Sequence, residues 1–356
     1  MNKGPSANLD FLRAVAVLLV FGQHISRRLL GTETTTPISY LGLFGVLLFF
    51  VHTSLVLMYS MERSGLQGKQ LVRDFYIRRA FRIYPLSILT IAVALALHLD
   101  SNVNGIAGLS YGARPSVKAA LAQFLLVQNL IPLKSIVNVL WSLPFEVQMY
   151  LFLPFIFAIV SSRRRLWSLL AFWVASFLVA WGQPRVWWLY HAPLLRFVPC
   201  FLPGVIAYIL PRKAVLRSYL WPLLIAGLIV VYTAWPGELL GGVLCLILGL
   251  SIPFFGEIRS PWLRIVANRI ATYSYGIYLS HQFCIWFALE VLARYSTWVK
   301  ASVLIGSLVL LPIVLYHTIE HPMIRLGVRL AASGRIQTLK ATTPSEKITV
   351  GVQRAG

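Results

Sequence analysis

The chain has 356 residues, 58% of them apolar and only 12% charged, with a formal net charge of +21. A soluble domain sits nearer half apolar and a quarter charged, and no low-complexity Gly, Pro or Ser replaces the missing charge, so a soluble globule and a disordered chain are both excluded. The mean hydropathy of +0.74 leaves an all-α, polytopic membrane protein.

Apolar segments of about 17–25 residues, the length that crosses roughly 30 Å of hydrocarbon, recur down the chain. They lack the strict alternation of barrel strands. The first four expected spans are Leu9–Leu30, Tyr40–Ser60, Ile83–Asp100 and Leu143–Val160. Next come Leu166–Gln183, Leu194–Leu210, Ser218–Trp235 and Leu239–Phe255. Thr272–Leu292 and Ala301–Ile319 bring the number to about ten. The first span is too long for a cleaved leader, carries Arg27 and Arg28 after its apolar core and lacks a small-residue cleavage site, so it is expected to stay.

An eleventh apolar stretch, Val117–Leu133, is broken by Lys118, Gln123, Gln128 and Asn129. Positive residues collect on the cytoplasmic side of membranes. With ten alternating spans and both termini cytoplasmic, 22 of the 32 Lys and Arg fall inside and nine outside. A full crossing by Val117–Leu133 would move Arg163–Arg165 and every later cluster outside and erase that bias. Asp100–Ser142 is therefore expected to be one outer excursion, with Val117–Leu133 re-entrant or lying along the interface. Irregular backbone at membrane depth needs protein or a wet cavity around it. Residues 1–332 form the membrane domain, and the polar tail 333–356 is expected to be a disordered cytoplasmic extension.

The basic balance alone would point to nucleic acid in a soluble protein; the positive-inside rule accounts for it here, and no nucleic-acid partner is expected. Cys200, Cys245 and Cys284 lie in apolar stretches without pairing or metal spacing and are taken as packing residues. No HExxH, CxxC or carboxylate cluster points to a metal.

Ionisable groups inside spans cost about 2.5–3.5 kcal/mol and mark candidate sites. Arg13 and His24 are eleven residues apart in the first span, hence on one helix face and separated by roughly 16 Å. Each alone also fits a snorkelling Arg or a satisfied core His; sharing a face argues for a lined interior. Arg79 and Arg82, with Arg78 beside them, lead into the third span and would project together on a helix. Guanidinium forks suit phosphate, although the positive-inside bias and anionic headgroups also explain such a cluster.

Asn138-Val-Leu-Trp141-Ser142-Leu-Pro-Phe-Glu146, with Tyr150 one turn on, holds the only acid of a long apolar run, near the outer end of its span. An ion pair to a neighbouring helix and interfacial aromatics are the structural alternatives. Ser274-Tyr-Gly-Ile-Tyr278-Leu-Ser-His281 places Ser274, Tyr278 and His281 on one face, a pattern that interhelical hydrogen bonding also produces. Glu320 precedes a His-Pro step expected to end the last span. His52, His98 and His191 have no companions in the sequence and are set aside.

Together these motifs resemble the acyltransferase-3 family of integral membrane O-acyltransferases, which modify O-antigen, exopolysaccharide, peptidoglycan, nodulation factors and macrolides. The resemblance runs from about Leu9 to Pro322 and looks like the stand-alone form, without a C-terminal hydrolase-like domain. It implies transfer of an acyl group, usually acetyl, from cytoplasmic acyl-coenzyme A to a hydroxyl of a glycan or lipid-linked glycan at the outer face of a bacterial inner membrane. Acyl-coenzyme A is then a co-substrate, with no permanently bound cofactor. On this resemblance Arg13 and His24 match the essential first-span pair, and Arg79 and Arg82, with Arg78, the donor-binding arginines. Trp141, Ser142 and Glu146 match the third motif, and Tyr278 and His281 the fourth; with Tyr150 these supply acceptor contacts.

The residue chemistry agrees. His is the side chain suited to take a hydroxyl proton near neutral pH, either as general base or through an acyl-His intermediate. Glu146 would orient His24 or bind acceptor hydroxyls. The competing class is a proton-coupled secondary transporter using Arg13, His24 and Glu146 as a relay, but internal repeats and paired broken helices, common in transporters, are not found.

Overall fold

The computed structural model describes residues 6–31, 37–101, 108–112, 115–131, 133–162, 166–186 and 191–342. Of the tail expected to be disordered, residues 333–342 are helical, while residues 343–356, like Arg163–Arg165, lie outside the described residues. The chain is overwhelmingly α-helical. A two-stranded antiparallel ribbon, β1 (Leu99–Asp100) and β2 (Ser110–Tyr111), sits in the expected outer excursion.

Helix α1 (Ala7–Leu30) starts at Ser6, whose hydroxyl accepts from the Leu9 amide at 3.4 Å. This is the N-cap role for which a short hydroxyl is suited. Asn8 anchors the start more firmly: its side chain donates to Gly256 O at 3.1 Å and accepts from Ile258 N at 3.0 Å, and its carbonyl accepts from the Trp221 indole at 3.1 Å. α2 (Leu41–Ser64) returns antiparallel along α1. The two backbones approach closely at Gly45, where a Cβ would lie 2.6 Å from Ala16 O. Small residues at a helix crossing permit that approach.

α3 (Gly68–Ala96) begins earlier than the expected third span and runs through Pro85, so the arginines at 78, 79 and 82 lie inside a helix. α4 (Val117–Phe124) has only eight residues. At 1.5 Å per residue it rises about 12 Å, too little to cross, as expected from the charge distribution. Gln123 in α4 and Gln128 just beyond it are buried in protein: Gln123 donates to Lys134 O at 2.9 Å, and Gln128 to Leu140 O at 3.2 Å.

After a buried 3₁₀ turn, Asn138–Trp141, come α5 (Leu143–Ser162) and α6 (Leu166–Gly182). The shorter α7 (Val198–Ile209), α8 (Leu220–Ala234) and α9 (Glu238–Ser251) follow. α10 (Pro261–Trp286) has Pro261 at its first position under a Ser260 cap. A π-turn (Phe287–Val291) ends it. α11 (Thr297–Leu315) is joined through a second π-turn, Tyr316–Glu320, to α12 (His321–Thr342).

That junction corrects one expectation. His321-Pro322 does not end the last span but opens a further helix. Proline is tolerated there because the first helical turn needs no intrahelical amide donor.

Among the described residues, six helical stretches are long and apolar enough to cross a membrane: Ala7–Leu30, Ile38–Ser64, Gly68–Ala96, Asn138–Ser161, Leu166–Arg185 and Thr297–Ser333. α7, α8 and α9 are shorter apolar helices. α11 leaves Ile305, Val309, Leu310 and Val314 more than half exposed; a contiguous apolar stripe of this kind marks a lipid-facing surface. α1 packs on α2 and α10, α2 on α7, and α3 on α12, which places α1, α2, α3, α5 and α10 around a common interior.

Candidate active site

Two cavities lie along one face of α1. The first, of about 90 Å³, is lined by Arg13 from α1, His52 from α2, Arg79 and Arg82 from α3, Ser142, Glu146 and Tyr150 from the α5 region, and Ser274, Tyr275 and Tyr278 from α10. The second, of about 320 Å³, is lined by Gln23, His24 and Arg27 from α1, Asn138, Val139 and Trp141 from the 3₁₀ turn, and Tyr278. Val46 and Tyr278 border both. Arg13 and His24 thus occupy adjoining compartments, as their helical spacing requires.

Tyr278 stands at the boundary. Its phenol donates to Val139 O at 2.7 Å, so the 2.6 Å contact with Ser142 Oγ has the serine as donor. The side chains on either side are equally tied down. Arg13 Nε donates to Ser274 Oγ at 2.6 Å, and Ser274 in turn donates to Ala271 O at 2.8 Å. Tyr275 donates to Ile83 O at 2.7 Å.

The first cavity is cationic. Arg82 pairs with the buried Glu320 and lies over the Tyr275 ring, 5.5 Å from its centroid. Glu146 accepts from Tyr150, one turn along α5, and feels the fields of Arg13, Arg79 and Arg82. Three guanidiniums against two carboxylates leave an excess of positive charge in a space of low dielectric, where charge interactions are strengthened. Among the described residues Arg79 has no carboxylate partner. Such a site attracts an anion.

Arg78 takes no part in it. It pairs with Asp74 at 2.9 Å on the same helix. One residue turns the helix by about 100°, whereas Arg79 and Arg82 differ by about 60°, so only those two share the cavity face. Of the three arginines grouped in the sequence, Arg79 and Arg82 line the cavity and Arg78 does not.

Glu146 is also displaced from its expected place. The chain enters the bundle before α5 begins, with Ile136, Val137, Val139 and Leu140 all nearly inaccessible, so Glu146 belongs to the arginine cavity and does not line that of His24. The residue beside His24 is Gln282, whose amide nitrogen lies 3.3 Å from His24 Nδ1.

His281 lines neither cavity. Fully buried between α1 and α10, it directs Nδ1 to Ile277 O at 3.0 Å and places its ring 5.2 Å from that of His24. It backs the catalytic candidate and does not face the cavity, as direct acceptor contact would require. Trp141 faces the histidine cavity, while Ser142 and Tyr150 face the arginine cavity.

Residues that sequence reasoning passed over are His52, Gln282 and Asn138, and Glu320 as the partner of Arg82. His52 carried a visible signal, a titratable group in mid-span, but was set aside for want of neighbours in sequence.

The profile of the acyltransferase-3 family, described as an acyltransferase domain, matches residues 6–317. No curated protein and no solved structure matches the chain. Both cavities fall within the matched segment, and the chain belongs to the acyltransferase-3 family: it is a multi-pass membrane acyltransferase.

Proposed function

We propose that the protein transfers an acyl group, acetyl in the first instance, from acyl-coenzyme A on the cytoplasmic side to a hydroxyl of a glycan or lipid-linked glycan on the opposite side of a bacterial inner membrane. The observation that carries this reading is the pair of adjoining cavities, one cationic and one holding an imidazole, with Tyr278 and Val46 bordering both. In this arrangement the chain crosses ten times, using the six long helices, the three shorter ones and α10, with both termini cytoplasmic.

The donor enters at the arginine cavity. A volume of about 90 Å³ is too small for a nucleotide, so the nucleotide stays at the mouth and the slender pantetheine arm runs inward. Arg79, with Arg82 and Arg13, supplies charge-assisted hydrogen bonds to its phosphates. The rise of roughly 16 Å from Arg13 to His24 is of the order of that arm's length, which brings the thioester to the imidazole.

The acceptor enters the histidine cavity, where Trp141 offers a flat apolar surface and Asn138 a polar one. His24 takes the proton of the acceptor hydroxyl as the oxygen attacks the thioester carbonyl. The tetrahedral intermediate collapses with cleavage of the C–S bond. The leaving thiolate recovers the proton from the imidazolium, giving an O-acyl ester, free coenzyme A and neutral His24.

Titrating the reconstituted protein with acetyl-coenzyme A tests the donor half. Saturable binding that weakens in Arg79→Ala supports the reading. A protein that does not bind coenzyme A, yet moves a sugar or lipid down a proton gradient, would instead be a transporter.

A further inference from the structure

Gln282 lies one residue beyond His281 on α10 and is 2% exposed. Its carboxamide sits between two groups: the nitrogen 3.3 Å from His24 Nδ1 and the oxygen 3.4 Å from Ser101 Oγ. Ser101 belongs to the excursion that follows α3. It is fixed there, accepting from Asn138 N at 2.8 Å on its hydroxyl and donating from its own amide to Ile136 O at 2.8 Å.

The two ends of a carboxamide have the same shape and opposite hydrogen-bonding character, so its orientation follows from the network. With nitrogen toward His24, Nδ1 must accept. The single ring proton of neutral imidazole then sits on Nε2, which is unable to take a proton from a hydroxyl. With oxygen toward His24, Nδ1–H donates and the Nε2 lone pair is free. The carboxamide nitrogen then turns to Ser101 Oγ, which has a second lone pair left after accepting from Asn138. In that orientation the Ser101 hydroxyl gives up its 3.4 Å donation to Gln282 Oε1 and accepts from the carboxamide nitrogen instead. His281 cannot replace Gln282 in this role, because its Nδ1 is engaged with Ile277 O and its Nε2 has no partner among the described residues.

We propose that Gln282 is the positioning residue that sets the tautomer of His24, and that Ser101 on the outer excursion, able to pair with either end of the carboxamide, keeps the Gln282 side chain in place beside the imidazole. The proposal rests on the reading of His24 as general base. Gln282 does for His24 what the buried acid of a catalytic triad does for its histidine, orienting the ring and fixing its proton, but without placing a second charge beside it. It also makes the excursion, through Ser101 and Asn138, part of the catalytic apparatus.

The test measures transfer of label from acetyl-coenzyme A into glycan in vesicles of the producing cell's membranes, with each variant at parental abundance. Gln282→Met keeps length but offers no acceptor, and kcat is expected to fall by about 100-fold or more with KM for acetyl-coenzyme A unchanged. Gln282→Glu offers acceptors only and is expected to retain most of the activity. Gln282→Lys offers donors only and is expected to lose it.

A Gln282→Met protein with parental kcat, or a Gln282→Glu protein as inactive as Gln282→Met, overturns the proposal. If the Gln282 variants do not accumulate, Ser101→Ala decides: a lowered kcat with unchanged KM is expected, and parental kcat overturns it. His24→Ala separates the two layers. Transfer surviving that change removes the base itself, whereas transfer lost in His24→Ala but intact in Gln282→Met removes only the positioning role.

Discussion

Ser142 donates to the phenol of Tyr278 at 2.6 Å, and Tyr278 in turn donates to Val139 O at 2.7 Å, at the point where the arginine and histidine cavities adjoin. Ser142 and Val139 flank Trp141 in the chain, so one short segment supplies a wall to each compartment and Tyr278 closes the seam from α10. Two hydrogen bonds hold the phenol there.

Removing the hydroxyl leaves Ser142 and Val139 O without their partner. Tyr278→Phe should lose about 1–3 kcal/mol of stability, measured as a lowered unfolding midpoint in detergent. Tyr278→Ala removes the partition as well. It should raise acceptor-independent hydrolysis of acetyl-coenzyme A relative to transfer, since water then reaches the thioester; a hydrolysis ratio equal to the parent's would show that Tyr278 does not separate the compartments.

The arginines should differ in a fixed order. Among the described residues Arg79 lines the cavity without a carboxylate partner, Arg82 is shared with Glu320, and Arg78 is paired with Asp74 away from it. A hydrogen bond to a charged group contributes about 1.5–3 kcal/mol, or roughly 10- to 100-fold in affinity. Arg79→Ala should raise the KM for acetyl-coenzyme A by that factor, Arg82→Ala by less, and Arg78→Ala hardly at all. Initial rates over a range of donor concentration give the order directly, and an effect of Arg78→Ala equal to that of Arg79→Ala would contradict it.

Glu320 is 1% exposed and its charge is opposed by Arg82. Deleting one member of a buried pair strands the other and costs about 3–5 kcal/mol. Glu320→Ala should therefore lower the unfolding midpoint more than the double change Arg82→Ala/Glu320→Ala does. A double-mutant cycle in detergent measures the coupling; additive effects would mean that the two charges act independently.

The face bearing Arg13 and His24 is set by the approach of α1 to α2. A methyl group at Gly45 would meet Ala16 O at 2.6 Å and lie 3.1 Å from both Leu19 Cβ and Val20 Cγ2. Overpacking of this kind costs about 1–3 kcal/mol. Gly45→Ala should push the helices apart and reduce both thermal stability and kcat, while Gly22→Ala, where nothing lies within 4 Å, should change neither.

The parts of this site legible in the sequence are those governed by helical periodicity and charge. Eleven residues put Arg13 and His24 on one face, three put Arg79 and Arg82 together, and the distribution of Lys and Arg kept Val117–Leu133 from being taken as a crossing. The parts that stayed hidden depend on where helices meet. Glu320 reaches Arg82 across 238 residues, and Gln282 reaches His24 across 258; no local pattern encodes either. Glu146 was misplaced for a related reason. Position within an apolar run gives depth only if the chain becomes helical at the interface, and here it enters through the buried turn Asn138–Trp141. His321-Pro322 shows the same limit at a boundary, since proline both ends helices and begins them.

The most direct measurement places donor and acceptor on opposite sides. Purified protein is reconstituted into sealed vesicles in one orientation, with labelled acetyl-coenzyme A at the face bearing the N-terminus and membrane glycan from the producing cell at the other. Transfer of label across the bilayer, lost in His24→Ala at equal abundance and orientation, is the predicted result. Label reaching the glycan only when donor and acceptor share a face, or reaching it undiminished in His24→Ala, would contradict a donor passage that ends at the imidazole.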